Sequence, residues 1–410
     1  MPNDRLKVAF LGHVDHGKST LIGRLLYDTA SVPPDQLEQL QSDSAARGLD
    51  TEFAFLLDHL REERDDAMTL DTAQAFFYAG DREYVAIDAP GHRELLRNML
   101  TGAWEAQAAV LVVDAQEGPD DQTRRHAFLL SLLGIARCLV AVNKMDLVGF
   151  AAEPFEAARG QALALVARVG VTPAAAVPIS ARQGDNVAIP SDRMPWYRGP
   201  TVLEALDGLP GAHAAERPMR FCVQDVYNFD GRRYIAGRVE SGTLEAGGRV
   251  LLLPQHAEAQ VLTIERFMSD RAAAEAGESI AVTLPDELAV QRGQVLCAPN
   301  RPPRLARSLT ARLFWLAPRP LERGASLTLR LSTQETPCRV TAIARRTDSS
   351  SLDILEQEAR ELAAAEVADV SLETPTALVV EPASENPAFG RLVLESDAQI
   401  VGAGLVVEAR

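Results

Sequence analysis

Lysine is almost missing from this 410-residue chain: Lys7, Lys18 and Lys144 are all it has, so 38 of its 41 basic residues are arginines. A compositional bias accounts for the arginines. Each surviving lysine then becomes informative, because an ammonium and a guanidinium are not interchangeable at a shaped site. Cysteine is scarce as well. Cys138, Cys222, Cys297 and Cys338 stand far apart, which excludes a Cys-x-x-Cys metal or redox motif and fits a reducing cytoplasm. No run approaches the ~20 apolar residues of a membrane helix. The apolar stretch that ends at Gly12 is too short and wrongly flanked for a signal peptide. Positive charge is in deficit, 57 acidic against 41 basic residues for a net −16. That argues against a general basic grip on nucleic acid and leaves only a local groove open.

A length of 410 residues exceeds what one hydrophobic core fills, so two to four domains are expected. Up to about residue 205, short apolar runs alternate with amphipathic stretches, the pattern of an α/β sheet with covering helices. The strand candidates are residues 8–11, 84–87, 109–113, 138–142 and 177–179, nearly all continuously apolar as in strands buried on both faces. The Ala-rich residues 151–169 read as a surface helix. A Gly-, Pro- and Ala-rich linker covers residues 208–218, and short β-type runs follow it, as in a small all-β barrel. A second break falls at Pro299-Asn300-Arg301-Pro302-Pro303. We expect domains at residues 1–213, 214–301 and 302–410.

Directly after the first strand, Gly12, His13, Val14, Asp15, His16, Gly17, Lys18 and Ser19 spell G-x-x-x-x-G-K-[ST], with a helix expected from near Thr20. Glycines let the backbone wrap phosphates, with successive N–H groups aimed at negative oxygens. Lys18 would reach the β and γ phosphates, and the Ser19 hydroxyl would ligate Mg²⁺. Asp88-Ala89-Pro90-Gly91-His92 ends the next apolar strand. There Asp88 would hold Mg²⁺ through water and the Gly91 N–H would sense the γ phosphate. The bland alternative is an ordinary turn, since Asp, Pro and Gly all favour one. His92 either orients an attacking water or is a solvent-facing loop histidine. Thr69 is either a second hydroxyl ligand of Mg²⁺ or plain β propensity at a strand start.

Asn143, Lys144, Met145 and Asp146 follow the strand at 138–142. A carboxylate at Asp146 accepts from guanine N1–H and the 2-amino group together, and adenine offers neither. The Lys144 stem would lie flat over the base. Ser180, Ala181 and Arg182, after the last strand, would offer a backbone N–H to guanine O6. Two of the three lysines thus fall in the two candidate nucleotide motifs.

Together these four segments resemble the translation-factor-type GTPases, whose Asp-Ala-Pro-Gly-His form this chain shares. Within that family the chain more closely resembles the large GTPase subunits of bacterial sulfate adenylyltransferases. The cues are a long insertion before Thr69 that includes Leu56-Leu57-Asp58-His59-Leu60-Arg61-Glu62-Glu63-Arg64, then Gln122-Thr123-Arg124-Arg125-His126, Gly184-Asp185-Asn186 and Met194-Pro195-Trp196-Tyr197-Arg198-Gly199-Pro200-Thr201. Eukaryotic- and archaeal-type elongation factors share the insertion and the Met-Pro-Trp region, but usually carry Arg-Glu-His where this chain has Arg124-Arg125-His126.

The resemblance implies a P-loop GTPase domain followed by two β-barrels, with GTP or GDP and Mg²⁺ as ligands. It implies a smaller ATP-sulfurylase subunit as partner, cytoplasmic location, and GTP hydrolysis coupled to adenosine 5′-phosphosulfate synthesis. Aminoacyl-tRNA delivery is the alternative it leaves open. No adenylyl-sulfate kinase domain is expected after Arg410, and nothing in residues 214–410 looks like an ATP site. The first switch departs from the family, with Ala67-Met68-Thr69 where Gly-Ile-Thr is usual. Alanine resists backbone angles that glycine tolerates.

Overall fold

A computed structural model describes residues 4–32, 53, 74–88, 106–132, 134–135, 137–209, 216–266, 269–349, 351 and 353–410. The chain divides into two compact units, one reaching to residue 211 and one covering residues 212–348 and 352–410.

The first unit is built on six strands: β1 (Asp4–Gly12), β2 (Gln74–Ala79), β3 (Arg82–Asp88), β4 (Ala108–Asp114), β5 (Arg137–Asn143) and β6 (Thr172–Pro178). Their order is β2-β3-β1-β4-β5-β6. All neighbours are parallel except the β2–β3 hairpin. The continuous apolar runs explain the arrangement, because β3 and β4 are buried at every position. Strands covered on both faces need no polar alternation. Edge strand β2 alternates instead, with Ala75 and Phe77 inward and Phe76 and Tyr78 outward. Phe77 stacks on Tyr84 of β3 at 4.8 Å between ring centroids.

The described helices of this unit are α1 (Lys18–Asp28), α2 (Asp121–Leu132), α3 (Ala152–Arg168) and the short α4 (Val202–Asp207). Helix α3 buries Phe155, Ala158, Ala162, Leu165 and Val166, the three-and-four spacing of an amphipathic helix. It occupies the Ala-rich stretch expected to be helical. Helix α4 is closed at its start by a capping box, in which Thr201 Oγ1 accepts from the Glu204 amide and Glu204 accepts from the Thr201 amide. At its end, buried Arg82 donates to the carbonyls of Leu206, Asp207 and Leu209.

The second unit is all-β apart from one short helical turn, Pro387–Gly390, among its described residues. Its first layer is an eight-stranded sheet whose two outer regions hold Ala257–Gln260 and Thr263–Arg266. Only Val261 and Leu262 separate those strands in the chain, so the sheet curls back on itself around Phe221, Ile235, Val250 and Leu296. The second layer is a closed ring. It runs Ser326–Leu331, Arg391–Ser396, Gln399–Ala409, Arg304–Trp315, Glu366–Val380 and Gln334–Asp348, and the last strand pairs with the first. Closure leaves the ring without an open edge. Leu313, Leu329, Val370 and Leu392 fill it.

The two layers are tied together. Arg220, 2% exposed, donates through Nε and Nη2 to Glu381 Oε1 at 3.1 and 2.6 Å. Asn386 donates to Ser241 Oγ, and Ser332 Oγ donates to Cys222 Sγ. All four cysteines are buried thiols. No helix among the described residues is long and apolar enough to cross a membrane.

Candidate functional site

The carboxyl ends of β1, β3 and β5 converge on one rim of the parallel sheet. This is where open α/β sheets bind ligands. The loop at residues 12–17 leaves β1 and runs straight into α1. The sequence placed the helix start near Thr20; it begins at Lys18, because Gly17 absorbs the reversal at φ 89°. A Cβ on Gly17 would fall 2.3 Å from Asn143 Nδ2. Gly12 is pressed equally close, at φ 145°, and a Cβ there would fall 2.3 Å from the Val112 carbonyl oxygen. Asp15 adopts φ 66°, a left-handed conformation that Asp tolerates better than most residues. His13, Val14 and His16 complete the loop, and Thr20 lies in the first turn of α1.

Lys18 is buried, and its Nζ donates to the carbonyls of Gly12 and His13 at 2.9 and 2.7 Å. Burial lowers its pKa, with Asp88, Asp15 and Asp120 opposing the shift. At the end of β3, Asp88 is 3% exposed and accepts from Ser19 Oγ at 3.2 Å. A hydroxyl and a carboxylate side by side are hard oxygen donors, the set that suits Mg²⁺. Thr69, Gly91 and His92 lie outside the described residues.

The segments that follow β5 and β6 meet through Asn143. Its Nδ2 donates to the His16 carbonyl at 2.8 Å, and its Oδ1 accepts from the Ala181 amide at 2.9 Å. One buried side chain therefore joins the phosphate loop, the end of β5 and the loop after β6. Of the Ser180, Ala181 and Arg182 backbone N–H groups, that of Ala181 is engaged by Asn143 here. Asp146 lies in a single 3₁₀ turn, Met145–Val148, and its Oδ1 accepts from Ser180 Oγ at 2.8 Å. Arg182 follows in the same loop.

Lys144 takes φ 65°, and its Nζ lies 2.8 Å from Asp114 Oδ2. Burial pushes the Asp114 carboxyl up. Hydrogen bonds from Lys144 and the Gln116 and Glu117 amides outweigh that and bring it below the usual carboxylate range.

Asp114, Asp120 and His126 were not singled out as site residues by sequence reasoning. The Asp120 carboxylate caps α2 by accepting from the Thr123 amide and hydroxyl, and Oδ2 lies 2.7 Å from His13 Nδ1. His126, 2% exposed, accepts the Gly12 N–H at Nδ1, 3.1 Å away. A carboxylate closing an apolar strand was the available signal for Asp114, as it was for Asp88. Asp-x-x-Thr ahead of a helix was the signal for Asp120. Nothing local marks His126.

This strand–loop–helix with its Asn143-centred link has counterparts. The model of the elongation factor Tu GTP binding domain matches residues 3–211, and that of the GTP-eEF1A C-terminal domain-like family matches residues 308–407. The chain belongs to the translation-factor GTPases. Elongation factor 1-alpha of Archaeoglobus fulgidus is 38% identical to this GTPase over 414 residues, 99% of this chain and 98% of that protein. Sulfate adenylyltransferase subunit 1 of Citrobacter koseri is 39% identical over 412 residues, 98% of this chain and 86% of that protein. Among solved structures, sup35 complexed with GMPPNP aligns with 99% of this GTPase and 94% of that chain, at 24% identity and a TM-score of 0.48.

Proposed function

We propose that this GTPase is the GTP-hydrolysing subunit of a two-subunit sulfate adenylyltransferase. In that role it couples GTP hydrolysis to the formation of adenosine 5′-phosphosulfate and pyrophosphate from ATP and sulfate on a smaller partner subunit, in the cytoplasm. The observation that carries the reading is the 39% identity to sulfate adenylyltransferase subunit 1 across 98% of this chain. A translation role is the second reading, favoured by the 38% identity to elongation factor 1-alpha. The net charge of −16 weighs only weakly against it, because the charge of a binding groove matters more than the sum.

In the nucleotide site, residues 12–17 cradle the phosphates, Lys18 contacts the β and γ groups, and Asp146 selects guanine. Ser19, Thr69 and Asp88 would hold Mg²⁺, which when bound offsets phosphate charge. Gly91 senses the γ phosphate and His92 orients the attacking water. Domain boundaries at 1–213, 214–301 and 302–410 belong to the same proposal.

The test is coexpression with a small ATP-pyrophosphatase-like subunit, followed by measurement of ATP- and sulfate-dependent pyrophosphate release. GTP should stimulate release. A complex that fails to form, together with tRNA copurifying with this chain, would reject the proposal in favour of the second reading.

A further inference from the structure

Strand β1 outruns β3: their register ends at Phe10 opposite Asp88, and Gly12 continues only alongside Val112 of β4. The Gly12 amide is nevertheless satisfied, because His126 of α2 presents Nδ1 to it at 3.1 Å in a buried hydrogen bond. The other end of the same residue matters for the ligand, since the Gly12 carbonyl accepts from Lys18 Nζ. The next residue lies close to the start of the same helix, with His13 Nδ1 2.7 Å from Asp120 Oδ2. Gly12 of the phosphate loop is thus held from behind by α2, with no direct contact between α2 and the nucleotide being required.

We infer that His126 is a positioning residue for GTP and GDP, acting as a neutral acceptor that fixes the Leu11–Gly12 peptide and, through the Gly12 Cα, the start of the next peptide, whose carbonyl aims Lys18. The inference rests on the GTPase reading of this site. An acceptor at Nδ1 requires an unprotonated nitrogen there. Burial, helped by the charge of Lys18 and by His13 and opposed by Asp120, keeps the ring neutral. Removing the acceptor leaves a buried amide without a partner, and the peptide is then free to rotate toward another one.

Dissociation of a fluorescent GDP analogue and GTP affinity would be measured on the full chain and on three variants. His126→Ala should weaken nucleotide binding by about tenfold or more. Asparagine places an oxygen where Nδ1 stands, whereas the glutamine oxygen reaches toward the Nε2 position. His126→Asn should therefore retain affinity within about threefold, and His126→Gln should resemble alanine. The Asn–Gln pair separates positioning from simple packing, since both bury an amide of similar polarity. Equal affinities for the Asn and Gln variants, or wild-type affinity in His126→Ala, would overturn the inference and leave the GTPase reading intact. Failure of the wild-type chain to bind GTP would strike the GTPase reading itself.

Discussion

Acidification should destabilise the first unit through one buried ring. Burial, followed by the neighbouring charge of Lys18, lowers the pKa of His126 from 6.5 to about 3 in the folded chain. The folded-state value is depressed, so the unfolded chain binds the proton more readily. The stability that His126 contributes is full above 6.5 and is lost as pH falls toward about 3. Each pH unit inside that window costs about 1.4 kcal/mol. Between about pH 7.5 and about pH 5 the loss from this ring alone should be about 2 kcal/mol. His126→Asn keeps an acceptor for Gly12 and deletes the titration. Urea unfolding should be followed by the far-UV helix signal, since α1 to α4 belong to the first unit and the second has only Pro387–Gly390 among the described residues. Carboxylates and the other histidines titrate in both proteins, so they cancel in the comparison. The wild type should lose about 2 kcal/mol more than the variant over this pH change. Parallel pH dependences would mean that His126 is not buried as a neutral ring.

Three further outcomes are expected. Asp146→Asn should weaken GTP and favour xanthosine triphosphate, whose 2-oxo group suits an amide donor; competition binding reads this, and equal wild-type affinity for ATP and GTP would remove Asp146 from base selection. His92→Ala should keep GTP affinity within a few-fold and slow hydrolysis by about 10²-fold, measured as phosphate release; a normal rate would make it only a loop histidine. Glu381→Ala should destabilise the second unit by about 3–5 kcal/mol, because the Arg220 guanidinium stays buried with its charge uncompensated, whereas an Arg220→Met, Glu381→Leu double variant should recover much of the loss in calorimetric melts.

What the sequence made legible is what local pattern encodes. Residues 84–87 and 109–113 read as buried strands because every side chain there is apolar, and β3 and β4 enclose them. The helix over residues 151–169 followed from composition and is found as Ala152–Arg168. The strand–loop–helix at residues 4–28 was legible because its glycines, lysine and serine occupy fixed offsets between a strand and a helix. The interactions that hold those motifs in place were not. His126 meets Gly12 across 114 residues of chain, and Arg220 meets Glu381 across 161. Such pairs depend on how helices lie on the sheet and how barrels abut, which residue spacing does not record. Lys144 drew attention through its rarity, yet its partner Asp114 emerged only when β4 and β5 lay side by side.

The double hydrogen bond of Asn143 bears on how such a protein diversifies. Residue 143 serves two clients, the His16 carbonyl and the Ala181 amide, and Gly17 leaves no room for a bulkier arrangement beside it. A mutation there is pleiotropic: it disturbs both loops in one step. Asp146 stands three residues on, with a single side-chain bond from Ser180. If Asp146 selects the base as proposed, a point mutation there changes nucleotide preference and leaves the Asn143 link between the two loops intact.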